Sequence, residues 1–596
     1  MFGKITFLSA LSLAVAAPLT NSTSPTYDYI VIGGGTSGLA VANRLSEDPA
    51  VDVLILEAGG SVLNNANVTN ADGYGLAFGT DIDWQYESIP QTYGGNLRQV
   101  LRAGKALAGT SAINGMAYTR AEDVQIDAWE AIGNNGWTWE TLFPYYLKSE
   151  NFTVPSKSQL ELGASFNPAY NAHDGPLGVA FTDIPSDDLT TYLNRTFNGM
   201  GLPWSEDVNG GKMRGFNVFP ATLDVEKYVR EDAARAYYWP YTSRPNLHVM
   251  LDTFVNRIVW ADGSSSSSSS ADLATATGVE IASKNGSVSV IAARREVIVS
   301  AGALKTPGIL ELSGVGNPDI LTKHNIPVRV DLPTVGENLQ DQVNSHMDAS
   351  SNRTIAGGKA VAYPDIYDIL GDEAEAVGKN LWANLTKYAA DTAKVNGNVM
   401  EASHLERLFK IQHDLIFKDR VPVAEILNYP GGETSVSTEF WGLLPFARGS
   451  VHIGSSSPVE HPVINPNYFM LDWDMDSYVA IAKYIRRSIE SYPLRTLVKE
   501  ATPGTQAVPH GSDESWKNWI LDSNYRSNFH PVGTAAMMPR QLGGVVDERL
   551  TVYGTANVRV VDASALPFQV CGHLVSTLYA LAERAADLIK ADAAGY

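Results

Sequence analysis

The stretch from residue 27 to residue 59, YDYIVIGGGTSGLAVANRLSEDPAVDVLILEAG, decides how the rest of the chain is interpreted. Residues 27–32 are rich in β-branched and aromatic types, which predicts a buried strand. Glycines with the spacing G-x-G-x-x-G follow, and an apolar run with helical character continues through Leu45. Residues 51–56 predict a second strand, which ends at Glu57, nineteen residues after Gly38. This order of elements predicts a βαβ unit at the start of an α/β fold.

The residues of this unit suit the binding of a dinucleotide. Gly33 allows the tight turn after the strand, Gly35 lets the backbone approach a pyrophosphate, and Gly38 lets helix and strand pack closely. The helix N-terminus offers unpaired N–H groups and a positive dipole end to the phosphates. Glu57 would accept hydrogen bonds from a ribose. The sequence therefore predicts a dinucleotide cofactor.

The composition is that of a globular chain with large cores. Of the 596 residues, 44% are apolar and 18% are charged. The formal net charge of −21 would repel nucleic acids and anionic membranes, so we expect neither as a partner. The single cysteine, Cys571, cannot form an intrachain disulfide and is expected to be buried. No His, Cys or acidic cluster has the spacing of a metal site, so no metal is predicted.

The first residues have the features of a secretory signal peptide. Lys4 gives a basic start, an apolar run follows, and Ala14-Val15-Ala16 fits a cleavage site, so we assign residues 1–16 to the signal. No later apolar run reaches the ~20 residues that a membrane-spanning helix needs. We therefore expect a secreted, extracellular protein. Seven Asn-x-Ser/Thr sequons are predicted glycosylation sites: Asn21, Asn67, Asn151, Asn194, Asn285, Asn352 and Asn384.

Two later stretches continue the cofactor domain. Residues 98–120, RQVLRAGKALAGTSAINGMAYTR, are dominated by small and hydroxyl-bearing residues, which let a planar ligand lie against backbone. Residues 296–300 predict a buried strand, and a helix starts near Thr306-Pro307 and ends at Ser313-Gly314. This predicts a second βα unit in the same sheet. The serine run at 264–270 is of low complexity and predicts a surface hairpin tip.

The second half of the chain changes pattern and then returns. Helical stretches at 405–417 and 476–489 alternate with a strand-like stretch at 437–444, which predicts a separate cap. Residues 558–564, VRVVDAS, contain a predicted buried strand that ends at Asp562. After it, Leu574, Leu578, Leu581, Ala585 and Leu588 fall on one helical stripe, which we assign to the core rather than to the cofactor.

Together these segments resemble the GMC (glucose–methanol–choline) family of flavin oxidoreductases. The motifs are GALKTPGILELSGVG (302–316), NFHPVGTAAMMP (528–539) and DASALPFQVCGHLVSTLYALAERAADLI (562–589). Ala108 departs from the family pattern, in which glycine is usual at this place. Within the family the chain is most similar to fungal FAD-dependent glucose dehydrogenases. The resemblance implies an α/β (α+β overall) fold in which a substrate-binding cap, built on a sheet and helices, is separate from a Rossmann-like FAD-binding domain.

The resemblance also implies domain boundaries and the cofactor. The FAD-binding domain would span 25–342, with substrate-domain excursions around 60–100 and 140–230. The substrate-binding domain would take up most of 343–525, and 526–596 would hold the catalytic histidines and return to the FAD-binding domain. The residues expected to bind FAD are Gly33, Gly35, Thr36, Ser37, Gly38, Glu57, Arg102, Gly109, Thr110, Ser111, Asn114, Gly115, Met116, Val255, Asp562 and Ala563.

Oxidation of an alcohol requires removal of the hydroxyl proton and transfer of a hydride to flavin N5. Histidine suits the first task because its ordinary pKa of about 6.5 lies near working pH. By resemblance His530 is the base, and His573 orients the substrate and assists. The resemblance also implies that Glu439 hydrogen-bonds His573 and fixes its tautomer. The burial expected of its neighbours Phe440 and Trp441 supports a buried Glu439.

The resemblance assigns sugar binding to Arg526 and Asn528, and it places Tyr74 over the sugar. At alternating positions of a predicted strand, Arg526 and Asn528 would share one face with His530. The leading hypothesis is a secreted dehydrogenase that oxidises D-glucose at C1 to glucono-1,5-lactone, with quinones or other small electron acceptors. The Ala108 methyl group would add to this by narrowing the space in which oxygen meets the flavin.

Two alternatives remain open at this stage. One is an oxidase on the same scaffold that uses O2: a glucose oxidase, an aryl-alcohol oxidase or a secondary-metabolism alcohol oxidase. The other, from a different class, is a secreted flavin-binding storage or surface protein. The presence of the two histidines, Glu439 and Arg526 at positions that match the family's active site argues against this alternative. We expect a monomer or a homodimer.

Overall fold

The computed structural model describes residues 25–183, 189–262, 273–283 and 286–595. The predicted signal peptide, the serine run at 264–270 and the sequons Asn21 and Asn285 lie outside these residues. Of the other predicted glycosylation sites, Asn151 and Asn352 are exposed, and Asn67, Asn194 and Asn384 are half-buried.

In the described part of the chain the α-helices are α1 (Thr36–Leu45), α2 (Ala66–Thr69), α3 (Asp123–Ala131), α4 (Trp139–Ser149), α5 (Lys157–Glu161), α6 (Leu189–Gly199), α7 (Ala233–Tyr237), α8 (Thr306–Leu312), α9 (Pro318–Lys323), α10 (Ile366–Leu370), α11 (Ala374–Val395), α12 (Ala402–Phe417), α13 (Asp472–Ile489), α14 (Asp513–Leu521) and α15 (Leu574–Ala594). Short 3-10 turns include Gly109–Ala112 and Ala563–Ala565.

The strands of the first half are β1 (Thr26–Ile32), β2 (Val53–Leu56), β3 (Tyr86–Glu87), β4 (Val100–Leu101), β5 (Glu150–Phe152), β6 (Leu177–Ala180), β7 (Gly215–Asn217), β8 (Ala221–Asp224), β9 (Val229–Arg230), β10 (Leu247–Met250), β11 (Thr253–Trp260), β12 (Ala276–Ser283) and β13 (Val288–Val299). Those of the second half are β14 (Val315–Gly316), β15 (Val330–Asp331), β16 (Val343–Ser351), β17 (Ala360–Tyr363), β18 (Ala424–Pro430), β19 (Ser435–Gly442), β20 (Ser450–His452), β21 (Val463–Asn465), β22 (Val498–Thr502), β23 (Arg526–Ser527) and β24 (Val558–Val560).

The first large sheet is built around the opening strand. Its order is β10-β2-β1-β13-β12-β11, and β24 also pairs with β13. Strands β10, β2, β1, β13 and β24 run parallel, whereas β12 and β11 extend the sheet antiparallel. The last five residues of β1 are buried, as expected of a parallel strand covered on both faces. The predicted βαβ start and the second βα unit at α8 are confirmed.

The second large sheet is antiparallel and forms the cap. Its order is β22-β16-β19-β18-β17-β7, and β23 pairs with β16. Its strands come from residues 215–217 and 343–527, so a short strand from the first half joins those of the later region. Helices α12 and α13 cover the predicted helical stretches, and β19 covers most of the predicted strand at 437–444. The α/β fold with an added cap is confirmed, while the domain boundaries stay predictions.

The strand predicted to end at Asp562 is shorter in the structure. It ends at Val560, because the side chain of Asp562 accepts a hydrogen bond from the N–H of Ser564 and caps the following 3-10 turn. The helical stripe of α15 also differs in part from its prediction. Leu581 and Ala585 are core residues, but Leu574 and Leu578 line the cavity described below.

The last helix, α15, lies beside the first helix, α1. The fully buried Glu583 of α15 accepts hydrogen bonds from Arg44 of α1 at 2.7 Å and from the Tyr237 hydroxyl at 2.9 Å. The Ser37 hydroxyl also donates to the carbonyl of Leu578 at 3.3 Å. The two ends of the described chain are therefore joined by buried polar contacts as well as by apolar packing.

The hydrophobic core runs through both sheets, and Cys571 is fully buried in it, as predicted. Its thiol lies 3.3 Å from the carbonyl oxygen of Pro422. Among the described helices, none has both the length and the apolar character needed to span a membrane.

Candidate active site

A cavity of about 470 Å³ lies between the carboxyl end of the first sheet and the cap sheet. It runs from the β1–α1 turn to the two predicted catalytic histidines. Twenty of the predicted site residues line it: Gly33, Gly35, Thr36, Ser37, Glu57, Tyr74, Arg102, Gly109, Thr110, Ser111, Asn114, Gly115, Met116, Val255, Glu439, Asn528, His530, Asp562, Ala563 and His573. Gly38 and Arg526 are the two that do not line it.

The glycine turn brings backbone to the cavity at distances that only glycine allows. Gly33 has φ +106°, and a Cβ atom there would lie 2.4 Å from the carbonyl oxygen of Ser300. A Cβ at Gly38 would lie 2.0 Å from the carbonyl oxygen of Gly33, which explains its place in the helix–strand contact behind the cavity. Gly35 precedes α1 and makes no side-chain cap, so the first N–H groups of α1 are available to an anion.

A second loop closes on this turn. A Cβ at Gly109 would lie 2.6 Å from Cα of Gly35, so the 3-10 turn at Gly109–Ala112 and the glycine turn touch through backbone. The Ser111 hydroxyl donates to the Ala108 carbonyl and accepts from the N–H of Ala233. The Ser111 hydroxyl therefore stabilises the conformation of the loop. A bound ligand would contact the part of Ser111 that lines the cavity.

Glu57 stands at the end of β2, where a ribose acceptor is expected. Its carboxylate accepts hydrogen bonds from the N–H of Gly34 at 2.9 Å and from the N–H of Gly59 at 2.8 Å. Burial raises its pKa to about 7, although these N–H groups and Lys105 act in the opposite direction. The carboxylate thus lies in the wall of the cavity and also ties together the turns on either side of it.

The other predicted cofactor residues have structural partners too. Asn114 accepts from the Arg230 guanidinium at 2.7 Å, and Arg102 pairs with Asp83. Asp562 accepts from the N–H of Gly302 at 2.9 Å and from the Thr306 hydroxyl at 2.6 Å, which ties the last strand to the second βα unit. Two contacting glycine-rich turns, an uncapped helix N-terminus and an acid after β2 fit the phosphates and ribose of FAD.

His530 is held at its Nδ1 atom by two amides. Oε1 of Gln342 lies 2.8 Å from Nδ1, and Nδ2 of Asn528 lies 3.1 Å from it. Desolvation lowers the pKa of His530 well below 6.5, and the positive charges of His573 and Arg526 lower it further. The imidazole is therefore neutral near pH 7, the form in which it can accept a proton.

His573 lies across the cavity from His530, with ring centres 5.4 Å apart and planes at 85°. Its Nε2 atom lies 2.9 Å from Oε1 of Glu425, a fully buried carboxylate. The expected partner, Glu439, does not contact His573, and this part of the prediction is corrected. The acid that orients the second histidine is Glu425.

The correction follows from how strands alternate. Phe440 and Trp441 are buried as expected, but Phe440 faces away from Glu439, so its burial carries no information about that residue. Glu439 is half-buried. Trp441 lies on the Glu439 side of β19 and contacts both histidine rings, and its register partner on β18 is Glu425.

Glu439 instead holds Arg526. Its carboxylate accepts from Arg526 at 2.7 Å, from Asn344 at 3.2 Å and from the Tyr429 hydroxyl at 3.2 Å. Arg526 stands in the two-residue strand β23 and lies over the ring of Phe529 at 5.0 Å. Glu439 and Arg526 therefore form a single charged unit at the cap end of the cavity.

The strand that was expected to carry Arg526, Asn528 and His530 on one face is interrupted. It stops at Ser527, and Phe529 has φ +63°, which breaks the alternation. Asn528 and His530 nevertheless face the cavity together, while Arg526 reaches its edge through Glu439.

Tyr74 is 42% exposed and packs edge-on against Phe78, with ring centres 5.3 Å apart. Its pKa is raised by desolvation, because the exposed surface faces the cavity and not bulk water.

Ala108 does not act as expected. It is fully buried, adopts φ +105° and is absent from the lining of the cavity. Its methyl group therefore does not narrow the space beside a bound ligand.

Four residues near the cavity were not found from the sequence: Gln342, Lys359, Glu425 and Arg230. Lys359 lines the cavity directly, and the other three act on lining residues through the hydrogen bonds given above. The available signal for Glu425 was that it is the one charged residue of the strand β18, AEILNYP. Among the described residues there is no group of three or more His, Cys, Asp or Glu side chains that could hold a metal ion.

Comparison with known proteins gives one consistent result. The N-terminal and C-terminal profiles of the GMC oxidoreductases match residues 27–344 and 445–582. The chain is 44% identical to the glucose oxidase-like protein fsoC of Humicola fuscoatra, over 98% of this chain and 99% of that protein. It is 34% identical to a glucose oxidase of Aspergillus carbonarius, over 95% of this chain and 93% of that enzyme.

Solved structures agree. An FAD-dependent oxidoreductase from Chaetomium thermophilum superposes with a TM-score of 0.85 at 27% identity, covering 95% of this chain and all 100% of the other. A fungal aryl-alcohol oxidase superposes with a TM-score of 0.84 at 28% identity, over 95% of this chain and 99% of that chain. The glycine turns and the acid after β2 fit the cofactor that this group of enzymes uses, which is FAD. The chain belongs to the GMC oxidoreductase family and is an FAD-dependent enzyme that acts on CH–OH groups.

Proposed function

We propose that the protein is a secreted sugar dehydrogenase that oxidises D-glucose at C1 to glucono-1,5-lactone and delivers the electrons to a quinone-type acceptor. The observation that carries the proposal is a neutral His530 beside Asn528 in the cavity wall. Tyr74 lines the same cavity, and Arg526 reaches its edge through Glu439. A base, hydrogen-bonding groups and an aromatic face together suit a polyhydroxylated substrate.

His530 takes the hydroxyl proton in this proposal. The amide nitrogen of Gln342 donates to the carbonyl of Leu443 at 3.1 Å, so its oxygen faces Nδ1 of His530 at 2.8 Å. This contact is shorter than the one from Asn528 and favours a proton on Nδ1. Nε2 is then unprotonated, and it has no hydrogen-bond partner in the part of the chain that the structure describes.

Bound FAD supplies the acceptor for the hydride that leaves the carbinol carbon. The C–H bond gives up its electron pair with the hydrogen, the O–H proton passes to His530, and the hemiacetal becomes a lactone. Glu425 fixes the ring of His573 opposite His530, so that the substrate oxygen lies between two oriented imidazoles. The apolar side chains of the buried Trp441 and the half-buried Leu427 line this part of the cavity and limit the access of water to it.

The test is anaerobic mixing of purified holoenzyme with D-glucose, followed by bleaching of the flavin absorbance. The glucose-reduced enzyme is then mixed with oxygen or with benzoquinone at equal concentration. We expect glucose to reduce the flavin and benzoquinone to reoxidise it much faster than oxygen. No bleaching by any sugar or alcohol would reject the oxidoreductase activity on sugars.

A second candidate is an oxidase that passes the electrons to O2. The observation in its favour is that relatives such as the Aspergillus carbonarius enzyme are named glucose oxidases. Reoxidation by oxygen at a rate equal to or above that of benzoquinone would select this candidate, because the same hydride chemistry precedes both.

Secretion and glycosylation form part of the proposal. The exposed sequons Asn151 and Asn352 are the sites where the described chain leaves most room for a glycan. Protein recovered from culture medium, with a mass that falls after enzymatic removal of N-glycans, would agree with it. The monomeric or dimeric state stays a prediction that sedimentation can test.

A further inference from the structure

Lys359 brings a positive charge to the cap end of the cavity. It stands directly before β17 and lines the cavity together with Leu427 and Tyr429 of the adjacent strand β18. Within the described part of the chain its ammonium group forms no ion pair and donates no hydrogen bond. The charge is therefore free to meet a ligand.

The surroundings of this ammonium group are those of a cavity and not of an open surface. The side chain of Lys359 is exposed, and part of its exposed surface lies in the cavity wall. Desolvation by the surrounding protein lowers its pKa from 10.5, while the charges of Asp72 and Glu439 act in the opposite direction. An exposed side chain that is nevertheless desolvated faces an enclosed space with little water. In such a space an anion stabilises an ammonium group strongly.

Glu439 is not that anion, because its carboxylate is already used. Arg526, Asn344 and the Tyr429 hydroxyl all donate to it, at 2.7, 3.2 and 3.2 Å. The pair of Glu439 with Arg526 is electrically balanced. Asp72 is the other carboxylate whose charge acts on Lys359, and no ion pair joins the two side chains within the described residues. Lys359 therefore lines the cavity as a cation without an ion-pair partner.

Arg230 is a second cation behind this end of the cavity. It is buried, and its guanidinium donates to the carbonyls of Val68 and Ser111 and to Oδ1 of Asn114, with no carboxylate in ion-pair contact among the described residues. Desolvation lowers its pKa to about 10, so it is still a cation near pH 7. The charge of Asp232 offsets part of the Arg230 charge, and Arg230 also lowers the pKa of Lys359.

We propose that the preferred substrate carries a carboxylate that binds Lys359, while the hydroxyl group to be oxidised faces His530. The substrate class is then an acidic sugar, such as a uronic acid, or an alcohol with a carboxylate at its far end. This inference rests on the proposed oxidation of a CH–OH group and changes its preferred substrate from a neutral to an anionic one. The carboxylate takes no part in the electron balance, which remains one hydride and one proton.

Ligand binding without turnover tests the site first. Oxidised holoenzyme is titrated with benzoate and with benzamide, and the flavin absorption spectrum reports binding. We expect benzoate to bind more tightly, and Lys359→Gln to weaken benzoate binding by about 10- to 100-fold with little effect on benzamide. Lys379→Gln is the matched control, because it removes the same charge from the exposed face of α11.

Turnover with matched substrates tests the consequence. The pairs are D-glucuronate with D-glucose, and 4-(hydroxymethyl)benzoate with its amide, each followed by anaerobic flavin reduction. We expect a lower KM for the acid of at least one pair, and Lys359→Gln should remove the difference in KM between the acid and its neutral partner.

The outcomes separate the two proposals. If neutral and acidic partners react alike and Lys359→Gln changes neither, the inference is wrong and the proposed function stands. If benzoate binds through Lys359 but no CH–OH compound reduces the flavin, the carboxylate site is supported and the proposed function is wrong. If Lys359→Gln alters FAD retention or the spectrum of the ligand-free enzyme, Lys359 serves the cofactor and the inference is overturned.

Discussion

Glu425 of the cap sheet contacts His573, the residue before α15, with Oε1 of the carboxylate 2.9 Å from Nε2 of the imidazole. Glu425 is fully buried on β18, whereas Glu439, on the adjacent strand, lies 2.7 Å from Arg526. The two acids therefore serve different partners, and mutation of each should have a different effect.

Glu425→Gln should lower the rate of flavin reduction by roughly tenfold or more, because a neutral amide holds the ring of His573 less firmly than a carboxylate does. Glu439→Gln is the control. It should raise the KM of the substrate through a looser Arg526 and leave the limiting rate of reduction nearly intact. Stopped-flow reduction over a range of substrate concentrations measures both, and a reversed pattern would restore Glu439 as the partner of His573.

The protonation of His530 should make the rate of flavin reduction fall at low pH, and the midpoint of this fall should lie below pH 6.5. Desolvation and the charges of His573 and Arg526 lower its pKa, and the neutral form is the active base, so lowering the pKa extends activity to lower pH. The reduction rate should be flat at pH 6.5 and above. His530→Ala should keep FAD bound and lower the rate by about 10²–10⁴-fold. An acid limb centred above pH 6.5, or an Ala variant that reduces flavin at the parental rate, would contradict this role.

Gln342 should control the protonation of His530. In Gln342→Glu, a carboxylate would replace the amide oxygen that lies 2.8 Å from Nδ1 and would stabilise the imidazolium form. The acid limb of the rate profile should move to higher pH, and Gln342→Met should not produce that shift. An unchanged profile in the Glu variant would remove Gln342 from the control of this histidine.

Glu57→Gln should weaken FAD retention. Both carboxylate oxygens accept backbone N–H groups, from Gly34 and Gly59, and an amide can accept only at its oxygen. Its NH2 group would face one of these donors. Equilibrium dialysis or flavin release during thermal unfolding should detect the loss, while substrate preference stays the same. A change in preference with full FAD occupancy would argue against the assignment of the glycine turn.

Ala108→Gly should leave the ratio of oxygen to quinone reactivity unchanged, because the methyl group does not reach the cavity wall. It should also relieve a backbone held at φ +105°, a conformation that costs an L-residue roughly 1–2 kcal/mol. Loss of a buried methyl group, about 0.8 kcal/mol, offsets part of this gain. Denaturant unfolding of the FAD-bound protein and stopped-flow reoxidation check the two statements. A faster reaction of the Gly variant with oxygen would show that the Ala108 methyl group does limit the access of oxygen to the flavin.

The sequence predicts the parts of this protein that depend on local chemistry. The turn after β1, the helix at Thr306-Pro307 and the burial of Cys571 follow from residue type and spacing, and the structure has them. The partner of His573 could not be found in this way, because it depends on which strands of the cap pair and in which register. Gln342 and His530 are 188 residues apart in the sequence, and a local sequence pattern cannot predict a contact over that separation.

The contact between the first and last helices has a consequence for biosynthesis. Glu583, near the end of the chain, completes the buried ion pair with Arg44, and Leu578 supplies both cavity wall and the carbonyl that Ser37 binds. The ribosome must therefore have synthesised the chain to at least Glu583 before these walls of the FAD compartment can close. A flavin that arrives earlier would meet an open site, so stable retention of FAD has to wait for α15.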